Sequence, residues 1–269
     1  MAYEVFEIER NAHVATVWLA NPQKRNAMGP AFWDELPRVM DEVANDETVR
    51  AIVIAARGPH FTVGLDLKAM SGGIIEGGNG AGARKRLLDF ILKIQRTVTT
   101  VARCEKPVIA VAQGWCIGGG IDLLTACDIR IAAADVTFSI RETKMAMVAD
   151  VGTLQRLPGI IGKGQVAELA FSGDDFGAER ALQLGFVNQV HPDHASALAA
   201  AQALAGRIAA NSPLAVTGTK RVLEYCADKS VEDGLTYVAI WNAAFVASED
   251  LQEAVMAFFE KRAPVFHGR

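Results

Sequence analysis

The spacing of apolar and polar positions changes several times along the chain. Residues 3–9 and 13–19 alternate or run rich in β-branched side chains, and the Asn11-Ala12 link between them suits a hairpin. Residues 31–43 follow helical spacing with Pro37 near the middle. Three short runs, at 51–55 (AIVIA), 107–112 (PVIAVA) and Ile129–Ala133, are almost wholly apolar, as strands buried on both faces of a parallel sheet are. Helical segments fall between them at 83–103 and Gly119–Thr125, so the alternation predicts stacked β-α units. From about Gly164 the strand pattern is expected to stop, with helices at 165–171, Ala178–Leu184, 195–209, 213–227, 231–247 and 251–261. We therefore expect an α/β core over 1–195 and a helical appendage over 196–269. Leu235, Val238, Ile240, Trp241 and Phe245 are more apolar surface than one small helical layer needs for itself, which points to subunit contact.

Composition narrows the class without choosing a function. The chain has 269 residues, 51% hydrophobic and 22% charged, with a formal net charge of −4, which suits a globular protein and disfavours nucleic acid as its main partner. The opening MAYEVFEIER carries acids where a targeting peptide needs bases, the closing HGR is not a peroxisomal tripeptide, and no uncharged apolar run spans a membrane. A cytoplasmic address is expected. Cys104, Cys116, Cys127 and Cys226 form no C-x-x-C pair and no ligand spacing with any histidine, so they read as reduced core residues and no metal is expected.

Three carboxylates stand among apolar neighbours: Asp122 in GGGIDLLTA, Glu142 in SIRETKM, and Asp150 in MVADVGT. Desolvation disfavours the charged form of such a group and moves its pKa toward values useful for proton transfer. Asp128, two residues from Arg130, reads instead as a structural ion pair or turn acceptor. Two glycine sites, FTVGLDL around Gly64 and WCIGGG at Gly118 to Gly120, each lie where an apolar run meets a helix start. Both can present free N–H groups, and two converging N–H groups make an oxyanion hole. Asp66 is placed to cap the short helix after Gly64. The glycine-rich 71–82 segment lacks the strand-turn-helix setting of a phosphate loop and reads as a mobile loop. Gly162-Lys163-Gly164 fails as a nucleoside-triphosphate loop, and there is no G-x-S-x-G elbow.

The segments NPQKRNAM (21–28), FTVGLDL, AQGWCIGGGIDLLTACDIRIA and FFEKRAPVFHGR strongly resemble the crotonase, or enoyl-CoA hydratase/isomerase, superfamily, from about residue 5 to the C-terminus. The resemblance implies a spiral of ββα units, a helical C-terminal region used for trimerisation, and a homotrimer or a hexamer of two trimers. It implies an acyl-CoA substrate of fatty-acid breakdown whose thioester oxygen is held by the N–H groups of Leu65 and Gly119. It implies that Lys24, Arg25 and Ala27 line the coenzyme A site, that Lys261 reaches a coenzyme A phosphate, and that coenzyme A enters only as part of the substrate. Asp, Glu and Asp at 122, 142 and 150 are similar to the set in the dienoyl-CoA isomerases of that superfamily, which convert a 3,5-diene to a 2,4-diene. Glu142 and Asp150 are then the proton-transfer pair, either fitting either end of the diene, with Asp122 in support. The alternatives are a 2-enoyl-CoA hydratase using Asp122 and Glu142, and a silent acyl-CoA-binding subunit. Leu65 in place of the alanine common in hydratases, and Met145 to Val148 (MAMV), depart from the pattern and leave the acyl chain open.

Overall fold

The computed structural model describes residues 3–69 and 80–269; most of the 71–82 loop expectation falls outside the described residues. Strands β1 (Phe6–Asn11) and β2 (Val14–Leu19) pair antiparallel and turn at Ala12-His13, one residue later than expected. From β2 onward the six-stranded sheet is parallel, in the order β1-β2-β3-β4-β6-β9, with β3 at Ala51–Ala56, β4 at Val108–Ala112, β6 at Ile129–Ala133 and β9 at Gln189–His191. After β4 and after β6 the chain turns directly into a second sheet, formed by β5 (Trp115–Ile117), β7 (Thr137–Ser139) and β8 (Phe176–Gly177). Gly114 makes the first corner at φ 51°, a backbone conformation that a side chain resists. With α3 (Gly119–Thr125) following β5, the expected ββα turn is complete.

Helix α1 (Pro30–Asn45) buries Phe32, Leu36, Val39, Met40 and Val43 on one face. Pro37 has no N–H for the Trp33 carbonyl, and the Thr97 hydroxyl of α2 (Ala81–Ala102) donates to that carbonyl at 3.0 Å instead. The opposite face of the sheet is covered by α7 (His194–Ala209). Its buried Ala197, Ala201, Ala205 and Ala209 recur every four residues and lie close against Val53, Ile109, Val111 and Ile131. The boundary expected at 195/196 therefore falls inside a helix bound to the sheet.

Between β7 and α7 come α4 (Thr153–Arg156), α5 (Lys163–Ser172) and α6 (Ala178–Leu184). The expectation that strands stop near Gly164 is corrected by β8 and β9. These strands have two and three residues, too short to show a period of two, and they close the edges of the two sheets. The chain ends in α8 (Pro213–Cys226), α9 (Val231–Phe245) and α10 (Glu249–Glu260). A cavity of about 850 Å³ lies under these helices, bounded by Ile129, Leu223, Trp241 and Phe245, and none of the three singled-out carboxylates lines it. Leu235 and Ile240 of α9 and Phe258 and Phe259 of α10 face outward.

Candidate active site

Residues 62–66 are stitched between two neighbours. On one side the Met28 N–H donates to Gly64 O at 2.8 Å, and the Asp66 N–H donates to Met28 O at 3.1 Å. On the other the Thr62 N–H donates to Trp115 O at 3.0 Å, and the Ile117 N–H donates to Thr62 O at 3.1 Å. Gly64, at φ 82°, is pressed so close to β5 that an added Cβ would lie 2.7 Å from Ile117 O and 3.5 Å from Gly119 N. The two predicted glycine sites thus meet. The Gly118 N–H is taken by Ser139 O at 3.0 Å. The N–H groups of Leu65 and Gly119 have no acceptor among the described residues. The Met28 sulfur stands 2.7 Å from where a Cβ on Gly119 would be, so a side chain here would have to push the buried Met28 thioether aside. Asp66 caps as expected, accepting the Ala69 N–H at 3.0 Å.

The three carboxylates differ in how they are satisfied. Asp122 in α3 is 1% exposed, and its Oδ1 accepts both the Thr153 N–H and the Thr153 hydroxyl at 2.7 Å. Asp122 therefore caps α4 from across the site. Glu142 opens a 3-10 turn, Glu142–Met145, and one of its carboxylate oxygens lies 3.3 Å from the Cβ position of Gly118, one residue from the free Gly119 N–H. Its other oxygen, Oε2, is buried without a hydrogen-bond partner among the described residues. Asp150 is half-buried and does not cap α4, whose cap position is Gly152.

Charge follows from that geometry. Burial pushes Asp122 up to about 6, against the pull of the two Thr153 hydrogen bonds, with the charge of Asp150 raising it further. Glu142 rises to about 7, first by burial and then by the charge of Asp122, with Asp150 adding to it. Burial raises Asp150 as well. The three interact, so they titrate as a set, with the step of Glu142 close to neutral pH.

Around this centre lies the NPQKRNAM turn. Asn26 organises it: its side-chain oxygen accepts the Asn21 N–H at 2.9 Å, its amide donates to Arg57 O and His60 O, and its carbonyl accepts the Thr62 hydroxyl at 2.6 Å. Lys24 and Arg25 are exposed on this turn, and the Arg25 guanidinium lies 5.7 Å from the centre of the Trp115 ring, which stacks on His60. Ala27 is half-buried beside Met28. Lys261 is not brought to this turn by any hydrogen bond or ion pair among the described residues; it ends α10 in a left-handed conformation at φ 56°. Asp128 has a different partner from the one expected. Its carboxylate accepts from Lys220 Nζ and from the Val108 N–H, both at 2.7 Å, while Arg130 donates to the carbonyls of Phe186 and Cys127.

Sequence reasoning passed over Thr153, whose hydroxyl beside a glycine at a helix start is a signal, and Gln95, which has none. Gln95 Nε2 donates to Asp150 O at 2.6 Å.

A family model described as enoyl-CoA hydratase/isomerase matches residues 9–269. A Dictyostelium discoideum protein named a mitochondrial Δ(3,5)-Δ(2,4)-dienoyl-CoA isomerase is 40% identical over 269 residues, 98% of this chain and 92% of that one. An Arabidopsis thaliana protein with the same activity in its name, there called peroxisomal, is 40% identical over 98% of both chains. Among solved structures, a putative enoyl-CoA hydratase from Streptomyces coelicolor A3(2) matches with a TM-score of 0.91 at 31% identity, over 100% of this chain and 96% of its own.

Proposed function

The chain belongs to the enoyl-CoA hydratase/isomerase family, and from that premise we propose that it moves the double bonds of a 3,5-dienoyl-CoA into the 2,4-positions. The observation that carries this reading is the third acid: Asp150 adds to the field of Asp122 and Glu142, where water addition across one double bond needs only two groups. Relatives that carry the isomerase name at 40% identity support it.

One carboxylate of the Glu142–Asp150 pair removes a proton from carbon 2 and becomes neutral. The electron pair spreads onto the thioester oxygen on one side and through the two double bonds to carbon 6 on the other, giving an extended dienolate. The other member of the pair, protonated at the start, delivers its proton to carbon 6, and the double bonds come to rest at 2,3 and 4,5. Solvent exchange resets the pair. No electrons are gained or lost overall, so the reaction asks for no cofactor beyond the coenzyme A of the substrate. The Leu65 and Gly119 N–H groups, without acceptors among the described residues, donate to the enolate oxygen, each contributing roughly 3 kcal/mol. Asp122, whose charged form the two Thr153 hydrogen bonds favour, supplies negative charge that raises Glu142.

Lys24, Arg25 and Ala27 are proposed to line the coenzyme A path, supported by the exposed cations on a turn fixed to the same segment as Leu65. Lys261 is proposed to reach a phosphate of the bound coenzyme. Trimers, alone or paired as hexamers, are proposed on the outward apolar residues of α9 and α10. Among the described residues no helix is long and apolar enough to cross a membrane. A cytoplasmic address is also a proposal, since relatives are named for the mitochondrion and the peroxisome, and fractionation of source cells decides it.

The test is an absorbance assay on a 3,5-dienoyl-CoA beside a 2-enoyl-CoA. We expect growth of the conjugated 2,4-dienoyl band with negligible loss of the enoyl band. Hydration without isomerisation would overturn the reading.

A further inference from the structure

Residues 148–151 carry a proposed proton-transfer group and yet belong to no helix or strand. No main-chain group in them is hydrogen bonded to another main-chain group among the described residues. A segment so placed drifts unless side chains hold it. Ala149 and Val151 anchor it in the core, and two side chains facing the segment tie its carbonyls. Gln95 Nε2 donates to Asp150 O at 2.6 Å, and Arg156 reaches Val151 O at 3.4 Å while its other guanidinium nitrogen donates to Thr99 Oγ1 at 3.0 Å. Gln95 and Thr99 are one turn apart on α2, so both ties run to one helix face. That helix is itself fixed, with Ile94, Thr97, Val98 and Val101 buried and Thr97 bonded to α1. From the other side the Asp122 carboxylate holds Thr153.

We propose that Gln95 is a positioning residue for Asp150. Its amide, fastened to a rigid helix, sets where the Asp150 carboxylate stands and so the separation between the two ends of the proton relay. Glu142 is held independently, by its own 3-10 turn beside Gly118. Loss of the Gln95 tie therefore displaces one end of the relay and leaves the other in place. The proposal deepens the isomerase reading and rests on it.

The experiment is proton exchange in deuterated water, followed by NMR from both directions. Exchange into carbon 2 of the 3,5-dienoyl-CoA reports one end, and exchange into carbon 6 of the 2,4-dienoyl-CoA reports the other. For Gln95→Leu we expect exchange at one carbon to fall about 100-fold, the cost of a misplacement near 1 Å, with KM and exchange at the other carbon within about threefold of the parent. Asp150→Asn must lose exchange at the same carbon. Gln95→Asn keeps the amide but is one methylene too short, and it should behave as Gln95→Leu does, so a folding defect peculiar to the leucine variant is recognised by its melting temperature. Equal losses at both carbons, or no loss in either Gln95 variant, would overturn this proposal alone. A parent enzyme that exchanges neither carbon would overturn the isomerase reading and this proposal with it.

Discussion

Two of the chain's acid sites use the same side-chain chemistry toward opposite ends. At Asp128 a carboxylate meets Lys220, whose side chain is only 7% exposed, and a main-chain N–H from β4. Every charge there has an opposite partner, and the pair joins α8 to the sheet. At Glu142 a half-buried carboxylate lies near two others of like charge, and its buried oxygen has no donor among the described residues. Burial with a partner locks a structure together. Burial among like charges leaves a group that holds its proton weakly enough to give it up and strongly enough to take one. In this fold a structural acid and a working acid differ in their neighbours: a buried lysine beside Asp128, two further carboxylates around Glu142.

Breaking the first site should cost stability and little else. Lys220→Met leaves Asp128 without its cation, and we expect a loss of about 2 to 3 kcal/mol in urea unfolding, discounted because Asp128 is partly exposed. Turnover per folded molecule should hold. Loss of turnover at unchanged stability would erase the contrast.

Neutralising the second site should do the reverse. The Glu142 value of about 7 stands above its ordinary 4.5, so between those pH values the native state holds a proton that the unfolded chain has lost. Its contribution is fully present below about 4.5 and disappears as pH rises through 7. In Glu142→Gln the difference in unfolding free energy between pH 5 and pH 8 should shrink by about 2 kcal/mol, while activity collapses. An unchanged pH dependence of stability would mean that Glu142 is not held protonated.

The smallest effect sharpens the coupling within the set. The charge of Asp122 raises Glu142, so Asp122→Asn should move the limb of the kcat/KM profile near pH 7 to lower pH. A limb that stays or moves upward would sever Asp122 from the pair.

The chain announced its acids better than their partners. Asp122 and Asp150 stood out because each interrupts an apolar stretch, Glu142 through the family pattern its segment resembles, and Gly64 and Gly118 to Gly120 because each ends an apolar run. The long buried strands were legible for the same reason. Partners were not, because they come from afar: Thr153 lies 31 positions from Asp122, Gln95 lies 55 from Asp150, and Lys220 lies 92 from Asp128. Arg130 looked like the partner of Asp128 only through sequence proximity; its guanidinium bonds carbonyls instead. A glutamine on an amphipathic helix carries no local mark of its contact. Strands β8 and β9 were too short for any period to show.

The most direct test of the central claim is kcat of Asp150→Asn on a 3,5-dienoyl-CoA, measured beside its melting temperature. General acid-base groups contribute about 10²- to 10⁴-fold, so a fall of about 10³-fold with melting unchanged is the predicted result. A variant that melts earlier yet turns over the diene at nearly the parent rate would make Asp150 a structural residue and contradict the account.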